Sequence, residues 1–123
     1  MKVKNSELLG LIEDLSHLVT EEIQLKVKGD IYLLIEHLKP FIDTYNKLKN
    51  EFVKKHGSGD EEKGYSISPE DWEALDEDVK KQWEELNEQE HEVESKLKVE
   101  LFDEIKSKHP YQFLYRVLNK ENQ

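Results

Sequence analysis

The chain has 123 residues, 37% charged and 36% hydrophobic, with a formal net charge of −10. That length suits one domain, expected to span residues 1–123, and apolar residues recurring at regular spacing exclude a globally disordered chain. Cysteine is absent, which removes disulfides, thiolate metal sites and cysteine nucleophiles and suits a reducing compartment.

Met1 to Lys4 alternates apolar and basic residues, a pattern able to edge a small sheet. Asn5 or Ser6 then caps a helix in which Leu8, Leu9, Ile12, Leu15, Leu18 and Val19 recur at three-to-four spacing and form one stripe for burial. Ile23, Leu25 and Val27 alternate with Gln24, Lys26 and Lys28, which predicts a short strand. Gly29 ends it, and Asp30 is placed to cap a long helix carrying Ile31, Leu34, Ile35, Leu38, Ile42, Tyr45, Leu48 and Phe52 on one side. Inside that helix Pro40 removes a hydrogen bond and clashes one turn back, at a cost of ~3 kcal/mol. A kink or break near Leu38 to Pro40 follows, and the stripe's continuation beyond it favours a kink.

From Gly57 to Gly64 three glycines are separated by polar and acidic residues with no apolar anchor, which predicts a mobile acidic loop over 57–66. Ser68-Pro69-Glu70-Asp71 is a helix start with a hydroxyl cap, a proline in the first turn and carboxylates over the positive end of the helix dipole. Trp72, Leu75, Val79, Trp83 and Leu86 continue that helix along one face. Two helices of about 25 residues, ~35 to 40 Å long, joined by such a connector should pair as an antiparallel hairpin. Val93 to Leu101 alternates strictly and predicts a strand. A helix remains the alternative, because Val93, Leu97, Leu101 and Ile105 are also four apart and Glu94 and Lys98 would pair at i,i+4. The aromatic tail, 110–123, holds Tyr111, Phe113, Leu114, Tyr115, Val117 and Leu118 and should dock as a closing helix. The expected fold class is mainly α (α+β): a long antiparallel helical hairpin, a packed N-terminal helix and a small two- or three-stranded sheet.

Chemistry-bearing motifs are scarce. Glu88-Gln89-Glu90-His91 and Asp14-Leu15-Ser16-His17 each place a carboxylate three residues before a histidine, the spacing used in di-iron bundles. With 28 carboxylates and five histidines, about one such pair arises by chance, so two carry no signal. No nucleophile elbow, phosphate loop or zinc-protease motif is present, and the acidic glycine segment would repel phosphate. Neither catalytic residues, a metal nor a cofactor is expected. Lys47, Lys49, Lys54 and Lys55, or Lys96, Lys98, Lys106 and Lys108, could touch nucleic acid, but the overall charge opposes direct binding. The apolar runs near the N-terminus are short and interrupted by Glu13 and Asp14, unlike a signal peptide or a membrane span, so a cytoplasmic protein is expected.

The charge is unevenly placed. Between Asp60 and Glu94 fifteen Asp and Glu accompany three Lys, a net of −12, and the other residues together come to +2. A helix that buries Trp72, Leu75, Val79, Trp83 and Leu86 must set polar residues outside, so a solubilising face is one reading. The other is a partner-binding face that mimics a nucleic-acid backbone, with Glu70, Asp71, Glu73, Asp76, Glu77, Asp78, Glu84 and Glu85 as its candidates. Trp72 and Trp83, eleven residues apart, share a helical face and are expected in the core. Tyr111, Phe113 and Tyr115 alternate, so a helix cannot bury all three, and at least one is expected to meet a partner or a second copy of the chain.

Lys2-Val3-Lys4-Asn5-Ser6-Glu7-Leu8, an amphipathic helix ending in Lys54-Lys55-His56-Gly57, an acidic glycine loop and a following Glu/Val-rich stretch together resemble small uncharacterised proteins encoded by phages and prophages of Gram-positive hosts. The resemblance extends to about Ile105 and brings no site residues. It implies a phage-encoded accessory protein with no assigned activity. The function expected for the chain is non-enzymatic and works by contact with a phage structural protein or a host protein, in the bacterial host cytoplasm or on the virion.

Overall fold

The computed structural model describes residues 1–121. Three-residue strand β1 (Lys2–Lys4) leads through a 3-10 turn at Asn5–Glu7 into α1 (Leu8–Leu18). Neither Asn5 nor Ser6 caps α1: Asn5 is buried, and its side-chain amide donates to the Leu86 carbonyl at 2.7 Å. Next comes α2 (Leu25–His56), 32 residues long and unbroken at Pro40. The hairpin β2 (Ser58–Asp60) and β3 (Gly64–Ser66) follows, then α3 (Pro69–Glu73), α4 (Glu77–Glu88), β4 (Glu90–Glu92), a 3-10 helix at Val99–Glu104 and α5 (Gln112–Glu121). Of the aromatic tail, residues 122 and 123 lie outside the described residues.

The core lies between α1, the first half of α2 and α5. Leu8, Leu11, Leu15 and Leu18 meet Ile31, Leu34 and Leu38 on one side and Leu114, Val117 and Leu118 on the other. β1 and β4 pair antiparallel, with Val3 opposite His91, and close one end of it. α4 runs back beside the second half of α2. Phe41 stacks on His91, the Tyr45 hydroxyl donates to Asn87, and Phe52 packs on Trp83. One sequence ascends as the other descends, which makes the pairing antiparallel. The mainly α (α+β) fold with a helical hairpin is therefore the fold observed.

Four elements differ from the sequence expectation. Residues 23–27 are not a strand: α2 already begins at Leu25, and Val27, Ile31, Leu34 and Leu38 form its inward stripe. The period-two run was too short to decide, since Ile23, Val27 and Ile31 fit a helical face equally well. Residues 93–101 pair with no strand beyond the Val93 N–H, which reaches the Met1 carbonyl at 2.8 Å. β1 offers only three partners, so the chain runs on without regular structure, burying Val93 and Leu97, and tightens into the 3-10 helix.

The helix from Pro69 is two helices, because Asp76 takes extended backbone and α4 restarts after it with Glu77 and Asp78 in an acidic first turn. The acidic connector is folded as a hairpin: the Asp60 carboxylate accepts the Lys63 N–H at 2.6 Å, and Gly59 (φ 137°) faces Tyr65 so closely that a Cβ would overlap the Gly64 carbonyl.

Candidate functional site

Sequence reasoning points to two regions, the acidic segment and the aromatic tail, and the fold treats them differently. At the tail, Tyr111 is buried at φ 47°, ahead of α5. Its hydroxyl donates to Glu21 at 2.8 Å and lies 2.9 Å from His17 Nδ1. The His17 ring stacks on His109 at 4.1 Å, and His109 Nε2 meets Asp14 Oδ1 at 3.0 Å. The second Asp14 oxygen accepts the backbone N–H groups of Phe113 and Leu114, both at 3.0 Å. Every polar group here is engaged in holding α5 against α1. Phe113 lies half-buried over Gly10. Only Tyr115, 49% exposed against Phe102, is available on the surface. The three aromatics thus do not form one patch.

Hydrogen bonds from Ser107 and Tyr111 hold the Glu21 carboxyl below the usual carboxylate range, while burial and the neighbouring Glu21 push the Tyr111 hydroxyl upward. The signs are opposite. The Glu21 contribution is present above its unfolded value of about 4.3 and is lost as pH falls through its lower folded value. The Tyr111 contribution is complete below its unfolded value of about 10 and is lost as pH rises beyond it. Thermal melts across pH should therefore show an alkaline decline beginning near pH ~10, and Tyr111→Phe should flatten that limb while lowering stability at neutral pH by about 1 kcal/mol, the ordinary net worth of one hydrogen bond.

The acidic segment builds a cleft. Ser68 and Asp71 cap each other: the Ser68 hydroxyl accepts the Asp71 N–H, and the Asp71 carboxylate accepts the Ser68 N–H, both at 3.1 Å. Ser58 on β2 donates to the same carboxylate at 3.0 Å, tying the hairpin to α3. These bonds, the Ser68 backbone first, hold the Asp71 carboxyl below its ordinary range. Between these parts and the end of α2 lies an open cleft of about 590 Å³ lined by Val53, Tyr65, Ile67, Pro69, Trp72 and Trp83. Both tryptophans are only partly buried, unlike the core position expected for them. Trp83 rests on Phe52 at 4.8 Å. Of the acidic candidates, Glu70, Glu73, Asp76, Glu77, Asp78, Glu84 and Glu85 are exposed, whereas Asp71 serves as the internal clamp. Lys54 and Lys80 approach Tyr65 and Trp72, and each is matched by an acid, Glu61 at 3.8 Å and Glu77 at 3.7 Å.

Val53, Tyr65 and Ile67 were missed as site residues. Tyr65 and Ile67 alternate across a segment read as irregular, and that alternation was the available signal. The two carboxylate–histidine pairs do not act as pairs. Asp14 and His17 turn to His109 and Tyr111; Glu88 takes Lys4 at 2.7 Å, and His91 lies 2.8 Å from Asn5 Oδ1. Among the described residues no group of three or more His, Asp or Glu is arranged to hold a metal ion, and no helix is long and apolar enough to cross a membrane. No protein-family model, curated protein or solved structure matches the chain.

Proposed function

We propose that this protein works by contact, gripping a basic protein segment with large apolar side chains in the cleft between the β2–β3 hairpin, α3 and α4. The single observation that carries this reading is the pair of partly exposed tryptophans in an apolar cleft within a stretch of net charge −12. Partly exposed tryptophans are the residue type that dominates binding hot spots. The surrounding carboxylates would steer a cationic partner toward them and disfavour acidic ones. The partner class fits a phage accessory protein, acting either in particle assembly or on a host protein.

The test is a tryptophan-fluorescence titration with a helical Lys/Leu amphipathic peptide as probe. Wild type should bind with a blue shift. Ile67→Lys, which sets a cation inside the cleft, should abolish binding. Replacing Glu77, Asp78, Glu84 and Glu85 by their amides should weaken binding and reduce its salt dependence. Unchanged binding by Ile67→Lys, or none by wild type, refutes the reading. The nucleic-acid mimic is separable, because displacement of DNA or RNA from a basic enzyme would respond to the four amides and ignore Ile67→Lys.

A further inference from the structure

The first turns of α2 expose an apolar stripe that the core does not use. Leu25 is 84% exposed, Tyr32 57% and Leu33 53%. With Gly29 they recur at i, i+4, i+7 and i+8, which sets them on one side of the helix. Nothing lies within 4 Å of where a Gly29 Cβ would be, so another backbone can come close there. Lys26 and Lys28 flank the stripe, and between Gln24 and Ile35 Asp30 is the one acid. Lys96 lines the shallow cleft beside Leu33, together with Asp30 and Glu94.

This stripe has the chemistry that the tryptophan cleft selects: large apolar side chains on a helix, interleaved with lysine. The two cannot meet within one molecule. Leu25 and Val53 lie on the same unbroken helix, about 42 Å apart at 1.5 Å per residue. We infer that the occupant of the cleft is the α2 stripe of a second copy, so that copies join head to tail. This rests on the cleft reading above and names its partner.

Charge complementarity is the argument for a second copy. All of the cleft lining but Val53 belongs to the −12 segment, while the stripe's own span, Gln24 to Ile35, carries Lys26 and Lys28 against Asp30, a net of +1. Two different surfaces joined in this way form a heterologous contact, which extends into rings or open chains instead of stopping at a dimer. The net charge of −10 on each copy opposes the approach at long range, so the assembly grows with protein concentration and with enough salt to screen that repulsion.

Sedimentation velocity on the full chain tests it. Wild type should show a weight-average size that rises with concentration past the dimer. Tyr32→Glu combined with Leu25→Glu should weaken association on the order of 30-fold, the loss expected of a central interface aromatic. Ile67→Lys should do the same from the other surface, with Trp72→Ala as a second cleft variant and far-UV circular dichroism to verify folding. Mixing the stripe variant with the cleft variant should give a 1:1 dimer and nothing larger, because one intact surface of each kind remains. Wild type that stays monomeric throughout, or a mixture that stays monomeric, overturns the inference. Binding of the Lys/Leu probe by the stripe variant separates the two proposals. Probe binding without self-association removes the head-to-tail partner alone, and absence of both removes the cleft reading as well.

Discussion

Asp14→Ala is expected to lower the thermal midpoint by about 10 °C, equivalent to roughly 2–3 kcal/mol for a chain of this size. Its carboxylate is 6% exposed and does three jobs at once: it accepts the Phe113 and Leu114 N–H groups and meets His109. The first two are donors of the first turn of α5 that no residue of the helix itself can satisfy. Leu114 is fully buried, so water cannot replace the lost oxygen there without opening the core. The negative charge also lies at the positive end of the α5 dipole. Asp14→Asn keeps an acceptor oxygen and should lose less than half as much. A double-variant cycle with His109→Ala should be non-additive, since His109 loses its partner as soon as Asp14 is gone. Calorimetry measures all four proteins, and a Asp14→Ala midpoint within about 2 °C of wild type would show that the capping geometry contributes nothing.

Gly59→Ala should spare the core and open the cleft. At φ 137° an L side chain is strained by about 1–3 kcal/mol, and its Cβ would also overlap the Gly64 carbonyl across the hairpin. The hairpin is mostly exposed and has only three residue pairs to hold it, so it should separate sooner than transmit the strain inward. Tyr65 and Ile67 would leave the cleft wall. Lys/Leu probe affinity should fall about tenfold or more, the effect of losing roughly 1.4 kcal/mol of contact, while the thermal midpoint moves little. Gly64→Asn is the matched control. Its φ of 82° is also positive, but nothing lies within 4 Å of a Cβ there. It should retain most of the binding, since asparagine tolerates positive φ better than other side chains.

The long helices were legible because their apolar residues recur over many turns, as Ile31, Leu34 and Leu38 do, and repetition outweighs local ambiguity. Short runs were not. Ile23 to Val27 offers three apolar residues that satisfy two periods, and only packing of Val27 with Ile31 chooses between them. Val93 to Leu101 has the side-chain alternation of a strand, yet a ladder needs a neighbour, and β1 supplies three residues. Sequence periodicity describes one segment and cannot count the partners available to it. The same limit hid the role of Asp14, whose three contacts lie about a hundred residues away. The acidic candidates were grouped by charge alone. The tryptophan cleft needed Val53 from α2, Tyr65 from β3 and Trp83 from α4 brought together, which no local pattern announces.

The earliest and latest parts of this chain are knitted together: β1 pairs with β4, α1 packs on α5, and Asp14 holds residues 113 and 114. Contacts at such separation must be closed against the entropy of the whole intervening loop, so folding should be slow for so helical a protein. During synthesis, α2 can cover one side of Leu11, Leu15 and Leu18, but their other side stays open until Leu114, Val117 and Leu118 have left the ribosome. The nascent polypeptide therefore holds a greasy helix in waiting while all the residues between α1 and α5 are added, a span in which chaperone capture competes with completion.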